Sequence, residues 1–189
     1  MKGDRKTIIL QSLAGLLEER NLSKVTTAVL AKKSNITEAA IYRHFPSKRS
    51  IFSELFNFCD DAIFSKCVEI KKTDLSSEEK LKNIFLFFII FLEKNKGFAR
   101  ILSREALSSE EQNVVDAVNQ FYERLELNIK QILAESPKKL LAQPGISAQL
   151  VVMSIEGVVS RYIRSKFKEA PSTYSENIWT LLVLATFKD

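Results

Sequence analysis

The sequence has few of the residues that cross-link a small secreted protein or interrupt helices. It contains two cysteines, Cys59 and Cys67, in 189 residues. Two cysteines on one predicted helix do not form a disulfide framework, so we expect reduced, cytosolic thiols. Five glycines and four prolines, together with the absence of alternating strand patterns, predict an all-α protein.

Long apolar runs are also missing. The strongest run, from Ile84 to Leu92, is much shorter than the roughly 20 residues that a membrane-spanning helix needs. The N-terminal segment Met-Lys-Gly-Asp-Arg-Lys leads into an amphipathic stretch and not into an apolar signal region. The sequence therefore predicts no membrane span.

The side chains of catalytic and metal sites are scarce. His44 is the single histidine, and no cysteine lies near it in sequence, which argues against a metal site. The sequence has no glycine-rich phosphate loop, no metal-ligand spacing and no Ser/Cys–His pair with an orienting acid. We expect no catalytic residues, no cofactor and no enzyme activity.

Positive charge is concentrated near the N-terminus. The net charge is +5, and residues 1–50 hold ten Lys/Arg against four Asp/Glu, while the remainder holds 18 basic and 19 acidic residues. Because phosphate contacts dominate affinity for nucleic acids, this asymmetry favours DNA binding by the N-terminal segment.

Residues 25–48 have the spacing of a helix-turn-helix. Thr26 or Thr27 can cap its first helix and Thr37 its second, because a threonine hydroxyl accepts a hydrogen bond from the free N–H groups of an opening turn. Between the helices, Asn35 tolerates the left-handed backbone that a sharp turn requires. The second helix of such a motif lies in the major groove of DNA.

The candidate DNA-binding residues divide into two groups by their place in the motif. Small side chains on the second helix let its backbone approach base edges, whereas polar and cationic groups at helix ends position a duplex by its phosphates. The candidate base-reading residues are Thr37, Glu38, Ala39 and Ala40. The candidate phosphate contacts are Thr26, Thr27, Tyr42, His44 and Lys48, and Arg43 fits either role.

Apolar residues recur at helical spacing through the rest of the chain. Counting the two helices of the motif at about 27–34 and 38–44, we predict about nine helices, the others at about 5–20, 48–72, 77–94, 98–107, 110–135, 147–168 and 173–187. The phenylalanine-rich helix at 77–94 is apolar almost all round, so we expect it to lie centrally. We place a helix-turn-helix head at residues 1–47 and a regulatory and dimerisation domain at residues 48–189.

The last two predicted helices indicate an interface between two copies of the chain. Both carry many apolar side chains and few polar ones, and two such helices can pack against the same pair in a second copy. A homodimer also brings two heads to one palindromic DNA site. The predicted interface residues are Leu150, Met153, Gly157, Ser160, Trp179 and Leu182, and plain internal core is the alternative.

Three segments of the head and the start of the next helix resemble the TetR family of regulators. They are Val25 to Ala31, Thr37 to Phe45, and Ser47-Lys48. The pattern Tyr42-x-x-Phe45, followed by a lysine where the fourth helix begins, is characteristic of that family. The resemblance implies a TetR-like fold with a three-helix DNA-binding head and a helical, dimerising body.

Further segments resemble the nucleoid-occlusion factors of this family. They are Ile9 to Ala14, Tyr42 to Lys48, Arg100 to Leu102, Phe121 to Glu126, Glu156-Gly157, Ser160-Arg161, Arg164-Ser165 and Phe167-Lys168. Those factors bind palindromic chromosomal sites as dimers and, when bound to DNA, antagonise the tubulin-like division protein FtsZ. The resemblance implies a cytoplasmic, nucleoid-associated protein with double-stranded DNA and the FtsZ tail as partners.

The resemblance also implies a groove for the FtsZ tail between the fourth and fifth helices. The matching positions are Phe58, Lys66, Phe87, Lys94 and Asn95. An aromatic floor with a basic rim suits a short, partly apolar tail. Where the family has a glycine, this chain has Ile90, whose branched side chain can narrow the groove or shift the register of the peptide.

A ligand-responsive repressor is the alternative. In that case Phe85, Phe88, Phe91 and residues of the seventh helix would surround a cavity, and a small-molecule inducer bound there would separate the heads. A tightly filled core would instead favour nucleoid occlusion.

Overall fold

The computed structural model describes residues 5–19 and 25–188. These residues form nine α-helices, and the single strand-like feature among them is an isolated bridge between Leu140 and Phe187. The helices are α1 (Arg5–Glu18), α2 (Thr27–Lys33), α3 (Glu38–His44), α4 (Lys48–Lys71), α5 (Ser77–Lys94), α6 (Lys96–Leu102), α7 (Gln112–Ala134), α8 (Pro144–Arg164) and α9 (Ser172–Thr186). A turn of 3₁₀-helix, Ser109–Glu111, precedes α7. The predicted all-α class is confirmed.

The helix-turn-helix forms through the caps that the sequence predicts. Thr26 Oγ1 accepts a hydrogen bond from the Val29 N–H at 3.2 Å, so Thr26 caps α2 and Thr27 is its first helical residue. Thr37 Oγ1 accepts from the Ala40 N–H at 3.2 Å and caps α3. Asn35, in the turn between the two helices, has φ of +55°. Both caps and the left-handed turn are confirmed.

The exit from α3 is fixed by proline and serine. α3 ends at His44, two residues before Pro46, whose ring fits poorly into a continuing helix. Ser47 Oγ accepts a hydrogen bond from the Ser50 N–H at 3.2 Å at the start of α4. Phe45 lies between these elements and is 1 % exposed, so the turn is anchored in the core.

The helix predicted at about 98–107 begins and ends earlier in the structure. Gly97 lies inside α6, which runs from Lys96 to Leu102. A Cβ atom at Gly97 would come within 2.8 Å of the backbone oxygen of Ala14 in α1. The glycine is therefore needed for close packing of α6 on α1.

The α8 helix begins earlier and ends earlier than the predicted 147–168. It starts at Pro144 because proline at the first helical position loses no hydrogen bond there. It ends at Arg164, after which Lys166 and Phe167 have positive φ values of 56° and 61°. These left-handed residues turn the chain towards α9.

The chain divides into two compact units. The first unit contains the described residues up to Asp60 together with Asn95–Val118, and the second contains Asp61–Lys94 and the residues from Asn119 onward. In the first unit, α1 packs against α2, α3 and α6, and in the second α9 packs against α5 and α8. The predicted boundary at residue 47, between the DNA-binding head and the rest of the chain, is defined by function and not by packing, and it stays a proposal.

Aromatic rings fill the core of the second unit. The ring of Phe85 lies 5.9 Å from that of Trp179, and the ring of Phe88 lies 6.0 Å from that of Phe121. One face of α5 contributes Leu81, Ile84, Phe85, Phe88, Ile89 and Leu92 to this core. Ile90 is 46 % exposed, so α5 is open on its other side and is not enclosed all round as the sequence predicts.

Both cysteines are free and buried. Burial, with the Asp60 charge as a smaller contribution, raises the pKa of the Cys59 thiol to about 12. Burial raises the pKa of Cys67 to about 11. Such thiols are poor nucleophiles at neutral pH, because the thiolate is the reactive form.

Among the described helices, α8 has the length and apolar composition of a membrane span. Within the stretch concerned, 44 % of the residues are buried inside the fold. One helix of this kind is weak evidence for a membrane span, since the core helices of soluble proteins have the same composition.

Candidate DNA-binding surface

The α3 helix has small and polar side chains on one side and a buried apolar side chain on the other. Thr37, Glu38 and Ala39 are exposed and Ala40 is half-buried. Ile41 is fully buried and fixes the opposite side of the helix in the core. The residues predicted to read bases therefore lie together around the first turn of α3, where a helix backbone can approach a DNA groove closely.

Four of the predicted phosphate contacts come together beside this helix. The Tyr42 hydroxyl donates a hydrogen bond to Thr27 Oγ1 at 3.5 Å, and the Tyr42 side chain remains 49 % exposed. Thr26, Thr27 and Lys48 line one narrow cleft, whose floor is formed by core residues such as Leu30 and Phe52. The start of α2, the end of α3 and the start of α4 thus present hydroxyl and ammonium groups in one place.

The other two predicted contacts lie near the end of α3. Arg43 is exposed, and His44 is half-buried at the last position of the helix. No described contact joins His44 to Tyr42 or Lys48. Within residues 5–19 and 25–188, no group of three or more His, Cys, Asp or Glu side chains is placed to hold a metal ion.

Lys48 has an anionic partner that the sequence does not reveal. Its Nζ lies 3.3 Å from Glu111 Oε1, and the Glu111 side chain is 0 % exposed. The other carboxylate oxygen accepts hydrogen bonds from the backbone N–H of Ser108 at 2.9 Å and from the Ser108 hydroxyl. Burial alone would raise the pKa of Glu111, but the Ser108 hydrogen bonds and the Lys48 ammonium outweigh burial and hold this pKa below its ordinary value.

Part of the positive charge of the head is compensated within the fold. Lys6 pairs with Glu54 at 3.3 Å, and Lys33 pairs with Glu19 at 2.6 Å. Such exposed pairs contribute little to stability, but they weaken the positive electrostatic potential that a DNA duplex would meet. Lys32 and Arg43 are exposed, and no ion pair of either is described, so their charges face solvent.

The predicted FtsZ-binding residues on α5 share its outer face. Phe87, Ile90, Phe91 and Lys94 follow one another at helical spacing, on the side opposite the buried face. The rings of Phe87 and Phe91 lie 5.9 Å apart. Phe87 is half-buried and Lys94 is exposed, so this face combines aromatic surface with a cation at the end of the helix.

The other predicted FtsZ-binding residues have distinct environments. Phe58 on α4 is 67 % exposed, a high value for a phenylalanine. Lys66, also on α4, forms an ion pair with Glu69 at 2.6 Å. The backbone oxygen of Asn95 accepts hydrogen bonds from the first turn of α6, the nearer from the Phe98 N–H at 2.9 Å.

The α8 helix carries an exposed stripe at the predicted dimer positions. Met153 is 68 % exposed and Leu150 is 37 % exposed. Gly157 and Ser160 continue the stripe, and a Cβ atom added at Gly157 would have nothing within 4 Å. These four residues form a continuous face that is open to a second molecule.

The two predicted interface residues on α9 lie elsewhere. Trp179 and Leu182 are each 5 % exposed and are buried in the chain's own core, Trp179 against Phe85. The outward apolar positions of α9 are Leu181 and Leu184, which are 66 % and 61 % exposed. Helical periodicity alone misses this distinction because apolar residues occupy both sides of α9.

Solved structures with the same architecture share little sequence with this chain. The transcriptional regulator FadR from Bacillus subtilis, solved in complex with stearoyl-CoA, has a TM-score of 0.77 at 17% identity, covering 95% of this chain and 98% of that one. The MbdR regulator from Azoarcus sp. CIB has a TM-score of 0.79 at 16% identity, covering 95% and 97%. These likenesses establish the fold.

Family models and curated relatives match nearly the whole sequence. Residues 9–55 match the model of bacterial regulatory proteins of the TetR family, and residues 76–186 match the tetracycline repressor-like, C-terminal domain of SlmA-like type. The nucleoid occlusion factor SlmA of Marinobacter nauticus is 35% identical over 96% of this chain and 95% of its own length. SlmA of Vibrio cholerae is 36% identical over the same shares. The chain therefore belongs to the TetR family of bacterial regulatory proteins, with a C-terminal domain of the SlmA type.

Proposed function

We propose that this protein is a cytoplasmic nucleoid-occlusion factor that binds palindromic chromosomal sites as a dimer and, when bound, antagonises assembly of the FtsZ ring over the nucleoid. The observation that carries the proposal is the identity of 35–36% with SlmA proteins across 96% of the chain. This match includes the body, whereas the head alone would suit many kinds of TetR-family regulator.

DNA binding would use the surface formed by α2, α3 and the start of α4. We place α3 in the major groove, with Thr37, Glu38, Ala39 and Ala40 near base edges. The cluster of Thr26, Thr27, Tyr42 and Lys48 would hold one strand by its phosphates, with His44 at the edge and Arg43 in either role. Tyr42 and Thr27 support each other through their hydrogen bond, which orients both hydroxyls before DNA arrives.

Dimerisation would use the exposed apolar faces of α8 and α9. Leu150 and Met153 on α8 and Leu181 and Leu184 on α9 leave large apolar side chains in water. Burial of such surface drives association. Gly157 and Ser160 would let the helices of two copies approach closely, and a two-fold axis between the copies would match a palindromic site.

Binding of the FtsZ tail would use the outer face of α5. Phe87 and Phe91 offer aromatic surface for apolar residues of the tail, and Lys94 offers a cation at its edge. Phe58, Lys66 and Asn95 stay proposed contacts from the family resemblance. Ile90 is exposed on the same face, so its side chain would meet the peptide directly and set its register.

We expect Lys94→Glu to weaken binding of an FtsZ C-terminal peptide about tenfold or more, because reversal of the rim charge replaces attraction of an anionic group by repulsion. The measurement is fluorescence anisotropy of a labelled peptide titrated with the protein bound to cognate DNA.

The matched control is Lys130→Glu, which makes the same charge change at an exposed position of α7. Peptide affinity of this control should equal that of the unmodified protein. If the unmodified protein does not bind the peptide at high micromolar concentration, FtsZ antagonism fails and a local repressor becomes the better account.

The ligand-responsive alternative depends on a cavity around Phe85, Phe88 and Phe91. Phe85 and Phe88 are 0 % and 1 % exposed, and the rings of Trp179 and Phe121 lie against them. This packing leaves little space beside the two rings and supports nucleoid occlusion over small-molecule induction.

A further inference from the structure

The segment that connects α6 to α7, together with the first turn of α7, is fastened to the first turns of α4 by three contacts within the first unit. Arg49 Nε donates a hydrogen bond to the backbone oxygen of Glu110 at 2.8 Å. Asn113 Nδ2 donates to Ser53 Oγ at 2.9 Å. The third contact is the ion pair between Lys48 and the buried Glu111. The end of α4 that carries a proposed phosphate contact is thus held by residues that are distant in sequence.

Glu111 is itself fixed in place. Ser108 and Glu111 form a capping box: the Ser108 side chain and the Glu111 side chain each accept a hydrogen bond from the opposite end of the 3₁₀ turn. One carboxylate oxygen is thereby committed to Ser108, and the other faces the Lys48 ammonium at 3.3 Å. Because Ser108 holds one oxygen and the side chain is fully buried, the carboxylate cannot follow a mobile lysine, and it acts as a fixed anchor.

We propose that Glu111 is a positioning residue for DNA binding, whose buried carboxylate holds the Lys48 ammonium ready for a DNA phosphate. This inference rests on the proposed DNA-binding function. It assigns part of the phosphate-binding machinery to the α6–α7 connection.

For DNA affinity, the gain from orienting the Lys48 ammonium outweighs the loss from partly neutralising its charge by Glu111. The Glu111 side chain is 0 % exposed and that of Lys48 is 30 % exposed, so the carboxylate lies on the inner side of the ammonium. A lysine ammonium has three N–H donors, and an ion pair with the single Oε1 atom of Glu111 leaves donors for a phosphate. A lysine already restricted by its partner also loses less rotamer freedom when DNA binds.

The test is a double-mutant cycle of Lys48→Ala and Glu111→Gln, read as affinity for a palindromic duplex at several salt concentrations. In the unmodified protein we expect Lys48→Ala to lower affinity about fivefold and the salt slope by about one, as loss of one phosphate contact does. Glu111→Gln alone should weaken binding by a similar factor. Adding Lys48→Ala to Glu111→Gln should then change affinity by less than about twofold.

Glu54→Gln is the matched control, because Glu54 also pairs with a lysine at 3.3 Å in the same unit. This control should bind DNA within about twofold of the unmodified protein. If Glu111→Gln does not fold, Ser108→Ala removes the hydroxyl hydrogen bond to the Glu111 carboxylate but keeps the backbone hydrogen bond and the charge, and it should show a smaller loss of additivity with Lys48→Ala.

Two results would overturn the proposal while leaving DNA binding intact. Equal or tighter DNA binding by Glu111→Gln would mean that Glu111 only neutralises Lys48. An equal effect of Lys48→Ala with and without Glu111→Gln would mean that Glu111 is only structural. Failure of the unmodified protein to bind any palindromic duplex would instead remove the proposed function, and with it this role of Glu111.

Discussion

Met153→Glu combined with Leu181→Glu is expected to convert the proposed dimer to a monomer and to lower affinity for a palindromic site at least about 100-fold. Met153 is 68 % exposed and Leu181 is 66 % exposed in the single chain, so neither change disturbs the chain's own core. In the proposed interface, each glutamate would bury a charge without a partner, which is strongly unfavourable. Light scattering measures the mass, and anisotropy of a labelled duplex measures DNA affinity.

The matched control replaces two exposed apolar residues on other helices of the second unit. Leu127 is 52 % exposed and Val68 is 48 % exposed, and Leu127→Glu combined with Val68→Glu adds the same two charges. This control should remain a dimer and bind DNA normally. A double Met153/Leu181 variant that keeps its dimeric mass would place the interface on another face.

Trp179→Ala is expected to lower the free energy of unfolding by about 3–5 kcal/mol, the range for removal of a large buried aromatic side chain. Trp179 is 5 % exposed, and its ring lies 5.9 Å from that of the fully buried Phe85. The truncation would leave a cavity at the contact of α9 with α5. Urea unfolding followed by circular dichroism measures the effect, at one fixed protein concentration because dimer stability depends on concentration.

Trp179→Phe is the control for this effect, since it keeps an aromatic ring against Phe85 and should lose less than half as much stability. Thr180→Ala changes the neighbouring, exposed position and should stay within about 0.5 kcal/mol. If Trp179→Ala lowers the free energy of unfolding only slightly but dissociates the protein into monomers, Trp179 lies in the interface and its assignment to the core is wrong.

Local chemistry made the helix-turn-helix predictable. Thr37 caps α3, and Asn35 takes the left-handed turn, because each residue acts on backbone groups within a few positions of itself. The predicted bounds of α3 and α5 match the structure, and α4 differs by one residue at its end. Caps, proline and helical periodicity are signals that a sequence carries without knowledge of tertiary contacts.

Contacts between distant segments were not predictable in the same way. Gly97 suggests a break, whereas the structure uses its missing side chain for close approach of α6 to α1. The Ser108-x-x-Glu111 pattern indicates the start of a helix, but nothing in it indicates that Glu111 meets Lys48. On α9, apolar residues at neighbouring positions leave open which side faces the core, so the sequence predicts Trp179 in the interface with internal core as the alternative, whereas the structure buries Trp179 against Phe85.

Genome-wide mapping of the sites that the protein occupies in its own bacterium tests nucleoid occlusion most directly. The protein would be crosslinked to DNA in growing cells, and the recovered fragments would be sequenced. We expect many palindromic sites scattered over the chromosome and sparse near the replication terminus, where the septum must close. One or two sites beside a transporter or enzyme gene would contradict nucleoid occlusion and identify a local repressor.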